Sequence, residues 1–314
     1  MSEDAVERWR DAGWLAGVRA WVQERLGELG LTTTGPAEQP HVVSWSTVLR
    51  FPTDAGPVWF KANDGMLRHE AGLVTLLATR FPDRVPPLLA ADPARGWMLM
   101  ADAGMRLREV VAAERSLTRW YDVLDAVARI QLGTLDAVEE MLALGVPDLR
   151  LPRLVERYDD LVHRLDVPAR FRSATPYVAE LVATLERDGI PAGLDHDDLH
   201  DGQVFLGDGS RHLVLDWGDA CITHPFFVLS VVLEGQIAWG LDDVEGSVDV
   251  TPFRDAYLVP WAEALPGTDL VAASDAALRL GWAARAVNGL AGDPGGTAQT
   301  LARLQMFLDG RVTD

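Results

Sequence analysis

The stretch from Gly193 to Phe227 reads G-L-D-H-D-D-L-H-D-G-Q-V-F-L-G-D-G-S-R-H-L-V-L-D-W-G-D-A-C-I-T-H-P-F-F. It concentrates carboxylates and imidazoles among two short apolar runs. These residues are Asp195, His196, Asp197, Asp198, His200, Asp201, Asp216 and Asp219. Like charges repel, so a purely structural loop has no need of so many carboxylates. Such a cluster is tolerated where it holds a cation or handles protons, and the stretch is therefore the candidate active site.

The spacing inside this stretch predicts a hairpin with polar residues at its open end. Gln203 precedes a short apolar strand, Val204–Leu206, which turns at G-D-G. The partner strand, His212–Leu215, delivers Asp216. The hairpin would bring the Gln203 amide and the Asp216 carboxylate together, and such hard oxygen donors suit Mg²⁺. Asp198 would lie beyond them, placed to accept a proton or to orient a hydroxyl.

A lysine and a glutamate upstream form a second candidate pair. Lys61 interrupts the apolar strand Val58–Ala62, and lysine is rarely buried unless it is paired. Glu70 lies in the early turns of a predicted helix, Met66–Arg80, where it can face the sheet and pair with Lys61. The alternative is that both are surface charges that never meet.

The first hundred residues read as one helix followed by strands. The helix, Asp4–Leu29, carries three tryptophans that we interpret as packing residues rather than a binding site. The strands are punctuated by Gly, Pro and Asp turns, and an antiparallel meander is the simplest arrangement. The predicted strands are Val42–Val43, Thr47–Phe51, Val58–Ala62, Val85–Ala90 and Gly96–Ala101.

Beyond a joint at Asp102–Gly104 the chain is mostly helical. We therefore expect a β-rich lobe over residues 1–101 and a helical lobe over residues 102–314. Thr175 is the expected N-cap of one helix, with Pro176 at its first position. The predicted helices are Leu117–Leu144, Leu151–Leu165, Pro176–Arg187, Phe226–Trp239, Pro252–Leu265, Asp275–Leu290 and Thr297–Leu308.

The net charge and the amino-acid composition disfavour some classes of partner and location. The 314 residues carry a formal net charge of −19, which disfavours nucleic acid and anionic membranes as partners. The charge fits either a solubility surface or a cleft that prefers cationic substrates. The chain has a single cysteine, Cys221, which we interpret as a small buried residue rather than a nucleophile. With no signal-peptide pattern at the N-terminus and no apolar run long enough to span a bilayer, the expected location is the cytoplasm.

Taken in order, these residues resemble a known family. A strand lysine, a helix glutamate and a joint are followed by H-x-D-x-x-x-x-Q (His196 to Gln203) and D-W-G-D (Asp216 to Asp219). This order is similar to that of the aminoglycoside phosphotransferase and choline kinase group, small-molecule members of the protein-kinase-like fold. The resemblance spans about residues 31–240 and implies an α+β, two-lobed fold. A small antiparallel sheet would form the N-lobe, and the larger C-lobe would be mainly helical.

The resemblance also implies an activity and a role for each matching residue. The activity is ATP- and Mg²⁺-dependent transfer of a phosphoryl group to a hydroxyl of a small molecule, such as an aminoglycoside, an amino sugar or an amino alcohol. Lys61 would hold the nucleotide phosphates, with Glu70 orienting it. Asp198 would face the acceptor hydroxyl while His196 supports the loop. The remaining roles are adenine contact by the backbone of Met100, Ala101 and Asp102, and metal binding by Gln203 and Asp216.

Two departures from the family pattern stand out. Gln203 occupies the position where the family usually has asparagine, so the same amide oxygen sits on a side chain one methylene longer. The phosphate loop is also poor in glycine, and Ser44 or Ser46 would supply its hydroxyl and N–H donors. These departures motivate an alternative, a nucleotide-binding protein without transfer activity.

Several residues keep more than one interpretation. Asp197 competes with Asp198 for the catalytic role, but only Asp198 keeps both spacings. Asp195, Asp201 and Asp219 would line an acidic acceptor pocket. Asp201 could instead be a solvated turn residue, and Asp219 could cap the next segment. Glu234, Trp239, Trp282 and Arg285 are further acceptor-pocket candidates, equally compatible with packing or surface positions.

A remote alternative comes from a different class of protein. His196, Asp198 and His200 alternate along the chain, so on a strand they would share one face, as ligands of a zinc or iron hydrolase do. That interpretation leaves Lys61 and Glu70 unexplained.

Overall fold

The computed structural model describes residues 6–207, 211–292 and 297–310. Asp4 and the G-D-G turn residues Asp208 and Gly209, which figure in the predicted elements, lie outside the described residues. The chain separates into two compact units. The first comprises residues 1–104 together with 207–218, and the second comprises residues 105–206 together with 219–314.

An antiparallel sheet forms the first unit. Along the chain, one helix precedes its first three strands and another follows them. Its strand order is β1-β2-β3-β5-β4, so the predicted meander is correct for the first three strands. The register pairs Lys61 with Val48 on one side and with Met98 on the other, which places the lysine inside the sheet. The elements are α1 (Ala12–Glu28), β1 (Glu38–Val42), β2 (Ser46–Thr53), β3 (Gly56–Asn63), α2 (Glu70–Arg80), β4 (Leu88–Asp92) and β5 (Trp97–Ala101).

Apolar residues on alternate strand positions build the core of this unit. Leu49, Val58 and Phe60 are buried and pack with residues of α1 in one cluster. Trp14 and Trp21 approach Phe60 edge-on, with ring centroids 6.3 and 5.9 Å away. Edge-to-face contact is the favoured geometry for aromatic pairs, and the interpretation of the tryptophans as packing residues is confirmed.

The second unit is mainly helical. Its elements before the polar loop, residues 196–203, are β6 (Met105–Arg106), α3 (Leu107–Glu114), α4 (Arg119–Leu132), α5 (Val138–Ala143), α6 (Leu151–Arg164), α7 (Ala169–Arg172), α8 (Thr175–Asp188) and β7 (Gly193–Asp195). β8 (Val204–Gly207) follows the loop. β9 (Arg211–Val214) belongs to the first unit. The chain then completes the second unit with β10 (Cys221–Thr223), α9 (Thr251–Ala264), α10 (Leu270–Gly292) and α11 (Thr297–Asp309). β7 and β10 pair antiparallel, with Asp195 opposite Cys221.

The prediction of one long helix over Leu117–Leu144 is wrong. α4 ends at Leu132, a short 3₁₀ turn follows, and α5 begins only at Val138. The Thr134 hydroxyl donates to the Ile130 carbonyl at 2.9 Å, which competes with continued helical bonding. The periodicity of apolar residues continues through the break, so it gave no signal there.

Phe226–Trp239 is also not an α-helix. It consists of two 3₁₀ turns, Pro225–Phe227 and Ile237–Trp239, on either side of a π-helical turn, Ser230–Glu234. The Ser230 hydroxyl donates to the Leu278 carbonyl of α10 at 2.8 Å. This segment is therefore shaped by its contact with α10 rather than by its own propensity.

Thr175 is not the cap of α8, because the helix begins with Thr175 itself and Ala174 precedes it. The Thr175 hydroxyl instead donates to Asp159 at 2.9 Å.

Among the described helices, none combines the length and apolar character needed to cross a bilayer.

Candidate active site

Lys61 lies at the centre of a buried polar cluster in the first unit. Its Nζ is 2.9 and 2.7 Å from the two carboxylate oxygens of Glu70, and 2.6 Å from Oδ1 of Asp216. The Lys61 and Glu70 side chains are 12% and 2% exposed. Of the two interpretations left open by the sequence, the paired one is therefore confirmed. Burial alone would lower the pKa of Lys61, but the charges of Asp216 and Glu70 reverse this and raise it, so the ammonium stays protonated.

Asp216 reaches this cluster because β9 is tied back to the first unit. The Val214 amide donates to the Arg84 carbonyl at 2.8 Å, two residues before Asp216. Asp216 itself adopts a left-handed backbone conformation, with φ +62°. Its side chain is 45% exposed, so the carboxylate contacts Lys61 and solvent together. One ammonium beside two carboxylates leaves a net negative charge, which a metal ion would offset.

The turn between β1 and β2 occupies the place predicted for the phosphate loop. The Val43 amide donates to the Ser46 carbonyl at 2.9 Å, which closes a tight turn around Ser44. Arg8, from the segment before α1, donates to the Ser44 carbonyl and to the Asp64 carboxylate. Ser46 is buried in β2, whereas Ser44 is half-buried at the turn. Of the two serines, Ser44 is the better placed to meet a phosphate.

The strand end predicted to meet adenine is partly engaged within the sheet. Met100 pairs with Trp59 of β3 and Leu88 of β4, and the Ala101 amide donates to the Pro87 carbonyl at 3.0 Å. The Asp102 carboxylate accepts from the Trp59 indole and from the Gly104 amide, each at 2.8 Å. Asp102 therefore shapes the joint with its side chain.

The polar loop of the second unit follows β7 directly. The Asp198 amide donates to the His196 carbonyl at 2.8 Å, and the Gln203 amide donates to the His200 carbonyl at 3.0 Å. Asp197 stands in the left-handed region with φ +61°, a conformation that non-glycine residues other than Asn and Asp rarely adopt. Two tight turns thus present the side chains between His196 and Gln203. His196 is itself buried.

The surroundings of Asp197 and Asp198 differ. Asp197 is buried and accepts a hydrogen bond from Asn288 Nδ2 at 2.9 Å, so its carboxylate is tied to α10. The Asp198 side chain is 23% exposed, and its Oδ1 accepts from Nη2 of Arg285. Its Oδ2 lies 3.8 Å from His200 Nε2, beyond hydrogen-bond distance. Asp198 is therefore the more accessible of the two carboxylates.

One face of α10 supplies polar side chains that sequence reasoning did not connect to the loop. Trp282, Arg285 and Asn288 are spaced three residues apart and so lie along one side of the helix. Trp282 donates to Glu234 Oε2 at 2.6 Å, and Asn288 also donates to the Asp219 carbonyl at 2.7 Å. The spacing was visible in the sequence, but nothing there indicated which residues this face contacts.

The other loop carboxylates have partners within the second unit. Asp201 accepts from Arg108 Nη2 at 3.0 Å, and its carbonyl accepts from the Arg108 amide at 3.2 Å. Burial and the neighbouring Asp197 raise the pKa of Asp195 well above its usual range. Cys221, opposite Asp195 on β10, is 1% exposed, and burial raises the pKa of its thiol. Its interpretation as a buried residue is confirmed.

The described residues contain no group of three or more His, Cys, Asp or Glu side chains arranged to hold a metal ion. His196, Asp198 and His200 therefore do not form such a group. The proposed magnesium ligands are of another kind, because Mg²⁺ commonly takes one or two protein oxygens and completes its shell with phosphate and water. Gln203 lies in the second unit and Asp216 in the first, and their proximity stays a prediction.

A small antiparallel sheet combined with a mainly helical part is the protein-kinase-like fold expected from the sequence. Solved structures of similar fold include the choline kinase LicA from Streptococcus pneumoniae, with 11% identity and a TM-score of 0.62 over 94% of this chain and 100% of that chain. The macrolide 2′-phosphotransferase MphH from Brachybacterium faecium has 16% identity and a TM-score of 0.57 over 93% and 99%. A GDP and kanamycin complex of APH(2″)-IIIa has 14% identity and a TM-score of 0.58 over 90% and 95%.

These likenesses establish the fold. The resemblance inferred from the motifs is thereby confirmed at that level. Neither a protein-family model nor a curated protein sequence matches the chain. The roles of individual residues rest on the geometry described above.

Proposed function

We propose that this protein is a kinase that transfers the γ-phosphoryl group of ATP, with Mg²⁺, to a hydroxyl of a small molecule. The observation that carries the proposal is the cluster in which Lys61 contacts both Glu70 and Asp216. A strand lysine held between a helix glutamate and the aspartate of a D-x-G turn is the arrangement that positions nucleotide phosphates in kinases. The structural neighbours include complexes with GDP and with AMP, which supports a nucleotide site.

The first unit would bind the nucleotide. Lys61 would hold the phosphates, Ser44 would donate at the β1–β2 turn, and the joint from Met100 to Asp102 would meet the adenine. The carboxylate of Asp216 and the amide oxygen of Gln203 are hard donors, so the donor set fits Mg²⁺. When bound, Mg²⁺ would neutralise charge on the phosphate oxygens.

The second unit would supply catalysis and bind the acceptor. Asp198 would accept the proton of the acceptor hydroxyl as the new O–P bond forms and the bond from the γ-phosphorus to ADP breaks. Asp197 is less suited to this role because its side chain is only 6% exposed, against 23% for Asp198. Such transfer depends on positioning and charge neutralisation more than on covalent help from the protein.

The acceptor would be a hydroxylated small molecule, with an aminoglycoside, an amino sugar or an amino alcohol as the first classes to test. The solved neighbours include choline, ethanolamine, macrolide and aminoglycoside kinases. Asp219 and Glu234 remain proposed acceptor contacts, as does Asp201, although its carboxylate is paired with Arg108. A net charge of −19 supports a protein that binds neither nucleic acid nor anionic membranes. The single cysteine, which allows no intrachain disulfide, supports the cytoplasm as its location.

The first experiment measures thermal stability with ATP, GTP or ADP, each with and without Mg²⁺. A ligand that binds the folded state raises the melting temperature by mass action. We expect a Mg²⁺-dependent shift in the wild type and its loss in Asp216→Ala. Asp198→Ala should keep the shift while losing phosphoryl transfer to a panel of choline, ethanolamine, kanamycin and a macrolide. Absence of any shift at millimolar nucleotide would overturn the proposal.

A nucleotide-binding protein without transfer activity is the second candidate, and Gln203 in the usual place of asparagine favours it. Gln203→Asn distinguishes the two. A kinase whose longer amide is tolerated should keep or raise its turnover in this variant. Nucleotide binding without turnover across a broad acceptor panel, in both proteins, would favour the silent binder.

A further inference from the structure

The Asp198 carboxylate is held by an arginine from a distant part of the chain. Arg285 Nη2 donates to Asp198 Oδ1, although 87 residues separate the two in sequence. The Arg285 side chain is 11% exposed, and its Nη1 lies 3.7 Å from Asp197 Oδ2. The guanidinium therefore hydrogen-bonds Asp198 and lies beside the Asp197 carboxylate without a hydrogen bond to it. Burial alone would lower the pKa of Arg285, but Asp197 and Asp198 reverse this and raise it.

The contact with Arg285 gives the two carboxylate oxygens of Asp198 different hydrogen bonding. Oδ1 is occupied by Arg285, whereas Oδ2 is 3.8 Å from His200 Nε2 and makes no hydrogen bond to it. An aspartate side chain turns about two bonds, so fixing one oxygen fixes the direction of the other. The contact uses Nη2 alone, and the rigid guanidinium plane places that donor in a defined direction, whereas an ammonium acts as a point charge.

Two residues on the same face of α10 make different contacts with the loop, since Asn288 anchors it and Arg285 holds Asp198. Asn288 ties the loop through Asp197 and the Asp219 carbonyl, at 2.9 and 2.7 Å. A neutral amide is sufficient for that purpose. Burying the Arg285 guanidinium destabilises the fold unless its charge is paired. It is paired with Asp198, the more exposed of the two carboxylates.

We propose that Arg285 is a positioning residue for phosphoryl transfer, holding Asp198 so that Oδ2 faces the acceptor hydroxyl. This inference rests on the proposed kinase function. It assigns to α10 a part in the reaction that neither the loop motif nor the lysine cluster contains.

The test compares Arg285→Gln and Arg285→Lys in the full chain, with kcat and KM for ATP measured on whichever acceptor of the panel the wild type phosphorylates. Rates are expressed per folded molecule, as judged by circular dichroism. We expect Arg285→Gln to lower kcat on the order of 100-fold with little change in KM for ATP, because a misplaced catalytic group costs about that much. Arg285→Lys should recover part of the rate, since an ammonium restores the charge but not the fixed direction of the guanidinium donor.

Arg303→Gln is the matched control. Arg303 is a neighbouring cation on α11 that donates to the Arg285 carbonyl at 3.4 Å. We expect its kcat to stay within a few-fold of the wild type. A kcat for Arg285→Gln equal to that of the control would overturn the inference, because a purely structural arginine would change only the amount of folded protein.

A second measurement needs no acceptor. Thermal unfolding of wild type, Arg285→Lys, Asp198→Asn and the double variant forms a double-mutant cycle. We expect the shifts in melting temperature to be non-additive by about 2 °C or more, as for residues in direct contact. Additive shifts would show that the pair does not form in solution, and would overturn the inference even if the protein is a kinase.

The two failures are distinguishable. A wild type that shows no Mg²⁺-dependent nucleotide shift contradicts the proposed function and removes the role of Arg285 with it. A wild type that binds nucleotide and transfers phosphate, beside an Arg285→Gln variant of unchanged kcat, contradicts only the positioning role.

Discussion

Lys61 is the residue on which the buried charges of the first unit depend. We expect Lys61→Met to lower the free energy of unfolding by about 3 kcal/mol, because it leaves Glu70, 2% exposed, without its counter-ion. Adding Glu70→Gln should recover part of the loss. Arg129→Met, which breaks the exposed pair with Asp125, should cost less than about 1 kcal/mol. Urea unfolding measures all of these, and equal losses for the two single variants would contradict the prediction.

His224 should make stability sensitive to acid. Burial lowers the pKa of His224 from 6.5 to about 3, so the folded protein keeps this ring neutral while the unfolded chain binds a proton below about pH 6.5. Its contribution is therefore complete above the unfolded pKa and declines as the pH falls, by about 2 kcal/mol on reaching pH 5.

The variant His224→Asn tests this sensitivity. His224 Nδ1 accepts from the Phe226 amide at 3.3 Å, and an asparagine oxygen can take over that bond. Urea unfolding at pH 7 and pH 5 should show a smaller acid-induced loss in the variant than in the wild type. An identical loss in both proteins would mean that other groups account for the acid response.

Among the helices and strands, α10 is the one whose position matters most to the polar loop. A Cβ added at Gly281 would lie 3.0 Å from the Phe227 carbonyl oxygen and would also overlap the Ser230 hydroxyl. We expect Gly281→Ala to destabilise the protein by about 2 kcal/mol, because backbone must move to admit the methyl group.

The matched control lies on α1. A Cβ at Gly17 would meet nothing within 4 Å, so Gly17→Ala should stabilise the protein by roughly 0.5 kcal/mol or more through helix propensity. Opposite signs for the two substitutions, measured by urea unfolding, would support the close packing of α10 on the Phe227–Ser230 segment. A stabilising Gly281→Ala would contradict it.

Sequence periodicity accounted for the elements whose partners are local. It predicted the strands around Lys61 and offered the pairing with Glu70 as one of two interpretations, because a strand and the following helix constrain each other over nine residues. It failed where a distant contact decides the backbone. The Ser230 hydroxyl donates to the Leu278 carbonyl at 2.8 Å, and the predicted helix Phe226–Trp239 does not form.

In the candidate site, too, local features could be predicted from the sequence and long-range contacts could not. The motif spacing identified Asp198, but its contact with Arg285 spans 87 residues and has no local signature. Such long-range pairs depend on how the helices pack, and that packing cannot be inferred from residue spacing in a single sequence. The fold could nevertheless be recognised at 11 to 16% identity to the neighbours described above, because a few motif residues in a fixed order carried the likeness.

At the scale of the whole molecule, charge is the dominant feature. A net charge of −19 on 314 residues creates self-repulsion that opposes the compact state. Salt shortens the range of that repulsion, since the Debye length falls from about 30 Å at 0.01 M to about 8 Å at 0.15 M. We therefore expect the melting temperature to rise with NaCl over this range, and KCl to act equally because screening is not specific to the cation.

This whole-molecule effect also determines how the magnesium experiment must be read. Mg²⁺ alone should raise the melting temperature by screening, with no active site involved. Asp216→Ala changes the net charge only from −19 to −18, since one carboxylate is lost, so its response to NaCl should match the wild type. The response to Mg²⁺ with ATP, beyond the sum of each alone, should vanish in the variant. A melting temperature that falls with NaCl would contradict the repulsion argument, and an undiminished response to Mg²⁺ with ATP in Asp216→Ala would contradict the metal assignment.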